Sequence, residues 1–259
     1  MKGTYVSVDL ETTGLSAEQN EIIEIGAVKM IDGEIVGRFD TLVKPRRKVP
    51  PFIFKLTGIN RKELRNAEPI EAVIDAFLDF LGDAVFLAHN VPFDFGMINR
   101  SLKRLGRPRL KNRTLDTRDL ALLLMPNYPS HKLSILGPAC GIPHPDAHRA
   151  LADAEVVVHL FNLMIEKLHA LNPLVLRESQ RLLRVQPKYM DLCFFLSDFY
   201  AGSSANQQLD YKSYLAPRRG GRDLEVVLQA PDGGTHDWSE VIDGYESREM
   251  QKHFSSVIG

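Results

Sequence analysis

The sequence predicts an α/β fold: a mixed five-stranded sheet flanked by helices, then a small α+β extension toward the C-terminal end. Three observations carry this. The N-terminal part reads as successive strands joined by a tight-turn signal, the middle alternates strand and helix periodicity, and Ala150 to Leu171 carries an unbroken helical stripe. With 259 residues, 44% of them hydrophobic and 25% charged, the chain can build one large soluble domain or a domain with an appendage.

Tyr5 to Leu10 alternates polar with apolar residues and reads as a strand, as do Ile22 to Ile31 and Glu34 to Val43. Asp32-Gly33 between the last two is a hairpin signal, because the turn needs positive backbone angles that glycine tolerates. Glu71 to Leu81 is helical by the spacing of Val73, Ile74, Phe77, Leu78 and Leu81; a short apolar strand, Ala84 to Ala88, and a helix from Phe93 to about Leu105 follow. Leu115 to Leu124 suggests a strand end running into a helix, and Leu133 to Ala139 a short helix stopped near Gly141-Ile142-Pro143. In the helix from Ala150, the stripe is Leu151, Ala154, Val158, Phe161, Ile165 and Leu168. The order β-β-β-α-β-α-β-α-α suits a mixed sheet rather than a strictly alternating parallel one.

Asn172-Pro173 is the expected domain boundary, dividing residues 1–172 from an extension over 173–259. Beyond it, Val175 to Val185 and Tyr189 to Tyr200 read as helices, and Gly202 to Gln208 as a loop. Leu224 to Gln229 and Thr235 to Trp238 read as a hairpin, and Arg248 to Val257 as a last helix.

A formal net charge of -1 excludes nucleic-acid binding by bulk positive charge. Basic clusters exist locally, at Lys44 to Lys48, Arg100 to Arg113 and Pro217 to Arg222, and each alone reads as solvated surface. Cys140 and Cys193 stand far apart with no companion at metal-finger spacing, so neither a disulfide framework nor structural zinc is expected. No apolar run reaches membrane-spanning length, and the expected location is the cytoplasm.

Three stretches could carry chemistry. In "VDLETTG", Asp9 and Glu11 are two apart on a strand and share one side, although an ordinary wet strand face has the same pattern. In "LAHNVPFDFGMI", Asn90 could cap a helix and Asp94 complement its dipole, which leaves His89 unexplained. In "DAHRALADAE", Asp146 could be an N-cap and Asp153 a solvated charge. His148 and Asp153 would not converge if both were helical, since five residues rotate by roughly 140°. His148 is therefore placed before the helix or in its first turn, over a site that Asp153 helps to build.

Taken together, the three stretches resemble the three motifs of the DEDDh branch of DnaQ-like 3'-5' exonucleases, the superfamily of the proofreading epsilon subunit of bacterial DNA polymerase III. The resemblance covers about Met1 to Leu171 and implies an RNase H-like fold. It implies that Asp9, Glu11, Asp94 and Asp153 hold two Mg²⁺ or Mn²⁺ ions, with His148 as general base. It further implies substrate contacts from Thr12, Gly14, Leu15, His89, Asn90 and Phe93, and from Ile59 within "LTGIN". The expected activity is release of nucleoside 5'-monophosphates from single-stranded or frayed 3' ends, of DNA in proofreading or repair. The alternatives are trimming of RNA and a non-catalytic module that recruits a polymerase or helicase. "GYESREMQKHFSSVIG" is similar to a segment of DinG-type helicases, so residues 173–259 could be a linker or the start of a helicase-like region; no P-loop sequence occurs.

Overall fold

The sheet is built outward from β1 (Thr4–Thr12), whose alternating side chains serve two separate packing layers. The computed structural model describes residues 3–144 and 147–202. β1 pairs antiparallel with β2 (Ile22–Ile31), which pairs antiparallel with β3 (Glu34–Lys44). The hairpin between them turns on Asp32 and Gly33, at φ 53° and 96°, as the sequence predicts. On its other side β1 runs parallel to β5 (Val85–Ala88), and β5 parallel to β6 (Thr114–Asp116). A two-residue strand, β4 (Glu68–Pro69), adds to the edge of β3. The sheet therefore has six strands rather than five, in the order β4-β3-β2-β1-β5-β6.

One face is closed by α3 (Ile70–Leu81) and α4 (Val91–Arg104), which bury Val6, Val8, Leu10, Ile25, Ala27 and Phe86 with Phe77 and Ile98. The other face is closed by α5 (Thr117–Leu124), α6 (Leu133–Ala139) and α7 (Ala150–Ala170). Phe77, Phe86 and Phe161 are fully buried, each contributing about 1.5–3 kcal/mol by removal from water. The wet strand face allowed for β1 is thus not present. Ser7 is fully buried, and its hydroxyl donates to the Ala154 carbonyl of α7 at 2.9 Å.

Two short helices escape the sequence reading: α1 (Pro51–Thr57) and α2 (Arg61–Asn66). Each is too brief for a periodic stripe. Their punctuation is nevertheless in the chain. Pro51 opens α1, Gly58 closes it at φ 68°, and the Asn60 side chain accepts the Lys62 N–H to cap α2.

After Asn172, whose side chain caps the next turn, α8 (Pro173–Leu183) and α9 (Met190–Gly202) pack on α7. Leu176, Leu192, Phe195 and Leu196 join the same core cluster as Phe161. The described part of both helices belongs to the same compact unit as the sheet. Thr114 of β6 is tied to Asp191 through both its N–H and its hydroxyl. The hairpin expected at 224–238, the helix at 248–257, most of the loop at 202–208 and the Asp146 cap lie outside the described residues. No described helix is long and apolar enough to cross a membrane.

Candidate active site

β1 delivers Asp9 and Glu11 to the α7 face, and its register with β2 shifts between Glu11 and Thr12. The pairing breaks there, so the chain leaves the sheet immediately after the second carboxylate. The turn that follows is internally bonded. Thr12 donates to the Gly14 carbonyl at 2.8 Å, and a side chain at Gly14 would meet Asn20 Oδ1 at 2.7 Å. Leu15 at its tip is 88% exposed.

α4 supplies Asp94 from its first turn, buried to 4% exposure. The start of this helix is not held as the sequence suggests. Asn90 occupies the cap position at φ 100° but makes no side-chain cap bond; Asp116 accepts the N–H groups of Asn90 and Val91 at 3.0 and 2.9 Å instead. The same carboxylate accepts the Arg118 N–H at 2.9 Å and so caps α5 as well.

α7 supplies Asp153, and its position depends on two residues of β2 that the sequence reading did not single out. Gly26 pairs with Asp9, and a Cβ there would lie 2.1 Å from the backbone of Ala150 and Leu151. Only glycine lets the helix come this close. Glu24, whose side chain is almost fully buried, accepts from Arg149 at 2.6 and 3.0 Å and from the Ala150 N–H at 3.1 Å. A glycine and a charged residue inside the apolar run "IIEIGAV" were the available signals.

His148 lies before α7, as expected, exposed and at φ 68°. Donor atoms of Glu11, His148 and Asp153 lie within 4.8 Å of one another. His144 is a further member. Its ring Nε2 meets Asp153 Oδ1, and its side chain is only 5% exposed. Nothing in "GIPHPDAH" distinguishes it from a surface residue between two prolines.

Of the remaining expected contacts, His89 and Asn90 line the same cleft as Asp9, His148 and Asp153. His89 accepts or donates at both ring nitrogens, to Thr117 Oγ1 at 2.9 Å and to the His131 carbonyl at 2.6 Å, and burial lowers its pKa. A carbonyl only accepts, so Nε2 carries the proton; the Thr117 hydroxyl in turn donates to the Ala88 carbonyl at 3.2 Å. Ile59 is 4% exposed in a small cluster with Ile23, Ile53 and Leu64, and Phe93 is half-buried against the α4-side core. Asn90 lines the cleft, together with Asp9, His144, His148 and Asp153.

Burial is the main cause that raises the pKa values of Asp9, Asp94, Glu11 and Asp153. Asp94 and Asp153 add their repulsion at Asp9, and Glu11 is pushed up to about 8. The N–H groups of Asp94 itself and Leu10 oppose the shift at Asp94, and the His144 imidazole opposes it at Asp153. Asp94 Oδ1 is buried with no hydrogen-bond partner among the described residues. An uncompensated cluster of this kind is costly, and a hard divalent cation is the group that oxygen donors so arranged would accept.

The sequence profile of the exonuclease family matches residues 6–161. The chain belongs to the RNase T/DnaQ-like exonuclease family. Exonucleases of this family and fold hydrolyse nucleic acid with divalent metal, and the acidic cluster fits that requirement. The exonuclease is 37% identical over 186 residues to the PolC-type DNA polymerase III of Staphylococcus aureus strain bovine RF122, covering 72% of this chain and 13% of the polymerase. Against the PolC-type polymerase of Halalkalibacterium halodurans it is 40% identical over 162 residues, covering 62% of this chain and 11% of that one. It therefore spans only a small part of these relatives. E. coli Exonuclease I, solved with a dT13 oligonucleotide, shares the fold at TM-score 0.56 and 23% identity, over 66% of this chain and 46% of that one. Exonuclease X, solved with 5'-overhanging duplex DNA, aligns at TM-score 0.51 and 27% identity over 63% and 90% of the two chains.

Proposed function

We propose that the domain removes nucleotides singly from single-stranded or frayed 3' ends of DNA, in proofreading or repair, and releases nucleoside 5'-monophosphates. The observation that carries this is the convergence of Glu11, His148 and Asp153 within 4.8 Å at a cleft that Asp9 also lines. Asp9, Glu11, Asp94 and Asp153 would hold two Mg²⁺ or Mn²⁺ ions. Those ions would neutralise the carboxylates, offset charge on the scissile phosphate and make a water molecule more acidic.

His148 stands outside the buried carboxylates yet within reach of Glu11 and Asp153, which suits an imidazole that takes the proton of the attacking water. His144, bonded to Asp153, fixes the orientation of that carboxylate. Leu15, exposed at the tip of the turn after β1, is placed to wedge against the terminal bases, while Thr12 and Gly14 hold the turn in shape. Asn90 and Phe93 flank the start of α4 on the path to Asp94. His89 contributes through the loop it holds, and Ile59 through the packing beneath the α1–α2 segment.

The PolC-type relatives support a replication setting, with the chain beyond Gly202 linking the nuclease to a polymerase or helicase. The test is a panel of 5'- and 3'-labelled single-stranded DNA, matched and mismatched duplex ends, and short RNA, each with Mg²⁺ or Mn²⁺. Laddering from the 3' end of DNA is expected. Release from the 5' end, or binding with no hydrolysis under either metal, would rule the reading out; preference for RNA would redirect it to RNA trimming.

A further inference from the structure

We infer that Arg118 and Lys132 form a phosphate-binding wall of the cleft, which holds the backbone of the substrate strand upstream of the scissile bond. This deepens the exonuclease reading and rests on it.

Among the described residues, the basic stretches at 44–48 and 100–113 do not line this cleft. Arg46 pairs with Glu71, Arg100 with Glu18 at 2.5 Å, Arg107 with Asp75 and Arg113 with Asp198 at 2.8 Å. Arg104 donates to the carbonyls of Asn20, Ala17 and Glu18, and Arg149 is held by Glu24. These cations lock the fold and are already neutralised or bonded.

Arg118 and Lys132 differ in both respects. Their side chains make no ion pair or hydrogen bond among the described residues, and both line the cleft of about 320 Å³ that contains Asp9, His148 and Asp153. A space of that size suits a nucleotide rather than a whole strand. A polyanion approaching the carboxylate cluster gains from positive charge lining the same cleft.

The spacing of the two cations is built into the fold by a buried imidazole. His89 bonds Thr117 through Nδ1 and the His131 carbonyl through Nε2. Thr117 immediately precedes Arg118, and His131 immediately precedes Lys132. Thr117 is fully buried, and the His131 ring in turn bonds the Met125 carbonyl at 2.9 Å. Asp116 fixes the Arg118 N–H from the other side. His89 is thus a positioning residue: it joins the start of α5 to the loop before α6 and sets where both cations stand. Ser134, one helical turn's start beyond Lys132, adds a hydroxyl to the same wall. Arg offers a planar donor fork and Lys a mobile point charge, a combination suited to successive phosphodiesters.

The test compares Arg118→Gln, Lys132→Gln and the double variant in the full chain, with Arg107→Gln as a cation paired elsewhere. With a single-stranded DNA oligonucleotide and Mg²⁺, each single variant is expected to raise KM by roughly tenfold while kcat changes less than twofold. Binding is measured separately by fluorescence anisotropy with Ca²⁺ replacing Mg²⁺, at several salt concentrations. The slope of log Kd against log[salt] should fall by about 0.7 for each cation removed and stay at the wild-type value in Arg107→Gln. His89→Gln should move KM in the same direction by a smaller factor. Wild-type KM and salt slope in the double variant would overturn the proposal, as would a fall in kcat at constant KM. If the wild type releases no nucleotide at all, the exonuclease reading fails, while the salt slope still reports on the wall.

Discussion

On the face covered by α3 and α4, β1 and β2 present Val6, Val8, Leu10, Ile25 and Ala27; on the face covered by α7, the same strands present Ser7, Asp9, Glu11, Glu24 and Gly26 beside the buried apolar Tyr5, Val28 and Met30. On the first face these strand residues make apolar contacts, which tolerate small errors of position, and α4 brings Asp94 to the site only at its first turn. The second brings a helix onto polar strand residues, and every one of them is used: Ser7 and Glu24 bond α7, Gly26 makes room for it, and Asp9 and Glu11 meet the carboxylate it carries. Both sides of the sheet bury an apolar core, and the polar strand residues, Asp9 and Glu11 among them, lie on the α7 side. A substitution on the α7 side should therefore damage activity out of proportion to its effect on folding.

The largest effect is expected from Asp9→Asn and Asp153→Asn, which should lower nucleotide release by roughly a thousandfold or more while the circular dichroism spectrum stays native. Near-wild-type rates in either variant would dissolve the distinction between the faces. His148→Ala should reduce kcat much more than it raises KM in the same assay.

Gly26→Ala comes next. The added methyl overlaps α7 backbone, which cannot rotate away, so the start of that helix must shift together with His148 and Asp153. A stability loss of about 1–3 kcal/mol in urea titration is expected, with activity falling roughly a hundredfold in the protein that remains folded. Val8→Ala, on the opposite face, should cost about 2 kcal/mol through its cavity and leave kcat of the folded protein close to wild type. Equal loss of kcat in both variants would show that the two layers are not separable.

Acidity gives a subtler contrast. Because the folded-state pKa of Glu11 is raised from 4.5 to about 8, and those of Asp9, Asp94 and Asp153 also rise, the native state binds more protons than the unfolded chain between those limits. Metal-free protein should accordingly lose stability as pH increases from about 4.5 to 8, and Mg²⁺ should restore it most at the alkaline end. Thermal melts at pH 5 and 8, with and without Mg²⁺, measure this; Glu11→Gln should flatten the metal-free profile.

The apolar face was readable in the chain because its residues repeat with the period of their own strand or helix. β2, β3, the Asp32-Gly33 turn and the α7 stripe follow from spacing alone. Asp9, Glu11, Asp94, His148 and Asp153 are singled out by the resemblance of three separated stretches, whereas each stretch alone has an ordinary explanation. The structure brings Glu11, His148 and Asp153 together, in keeping with that resemblance. The supporting residues were harder to find. Glu24 matters because it meets Arg149, 125 positions away, and Asp116 because it reaches Asn90 across the β5–β6 pair. Neither partnership has a period; it exists only after the sheet has formed.

His148 occupies left-handed backbone, a conformation that disfavours any side chain and carries a penalty of about 1 kcal/mol relative to glycine. The position thus sets activity against thermal robustness. His148→Gly should melt at a slightly higher temperature than the wild type while turning over far more slowly, and a β-branched substitute should be poorer on both counts. Selecting this protein for heat resistance alone would favour discarding the imidazole.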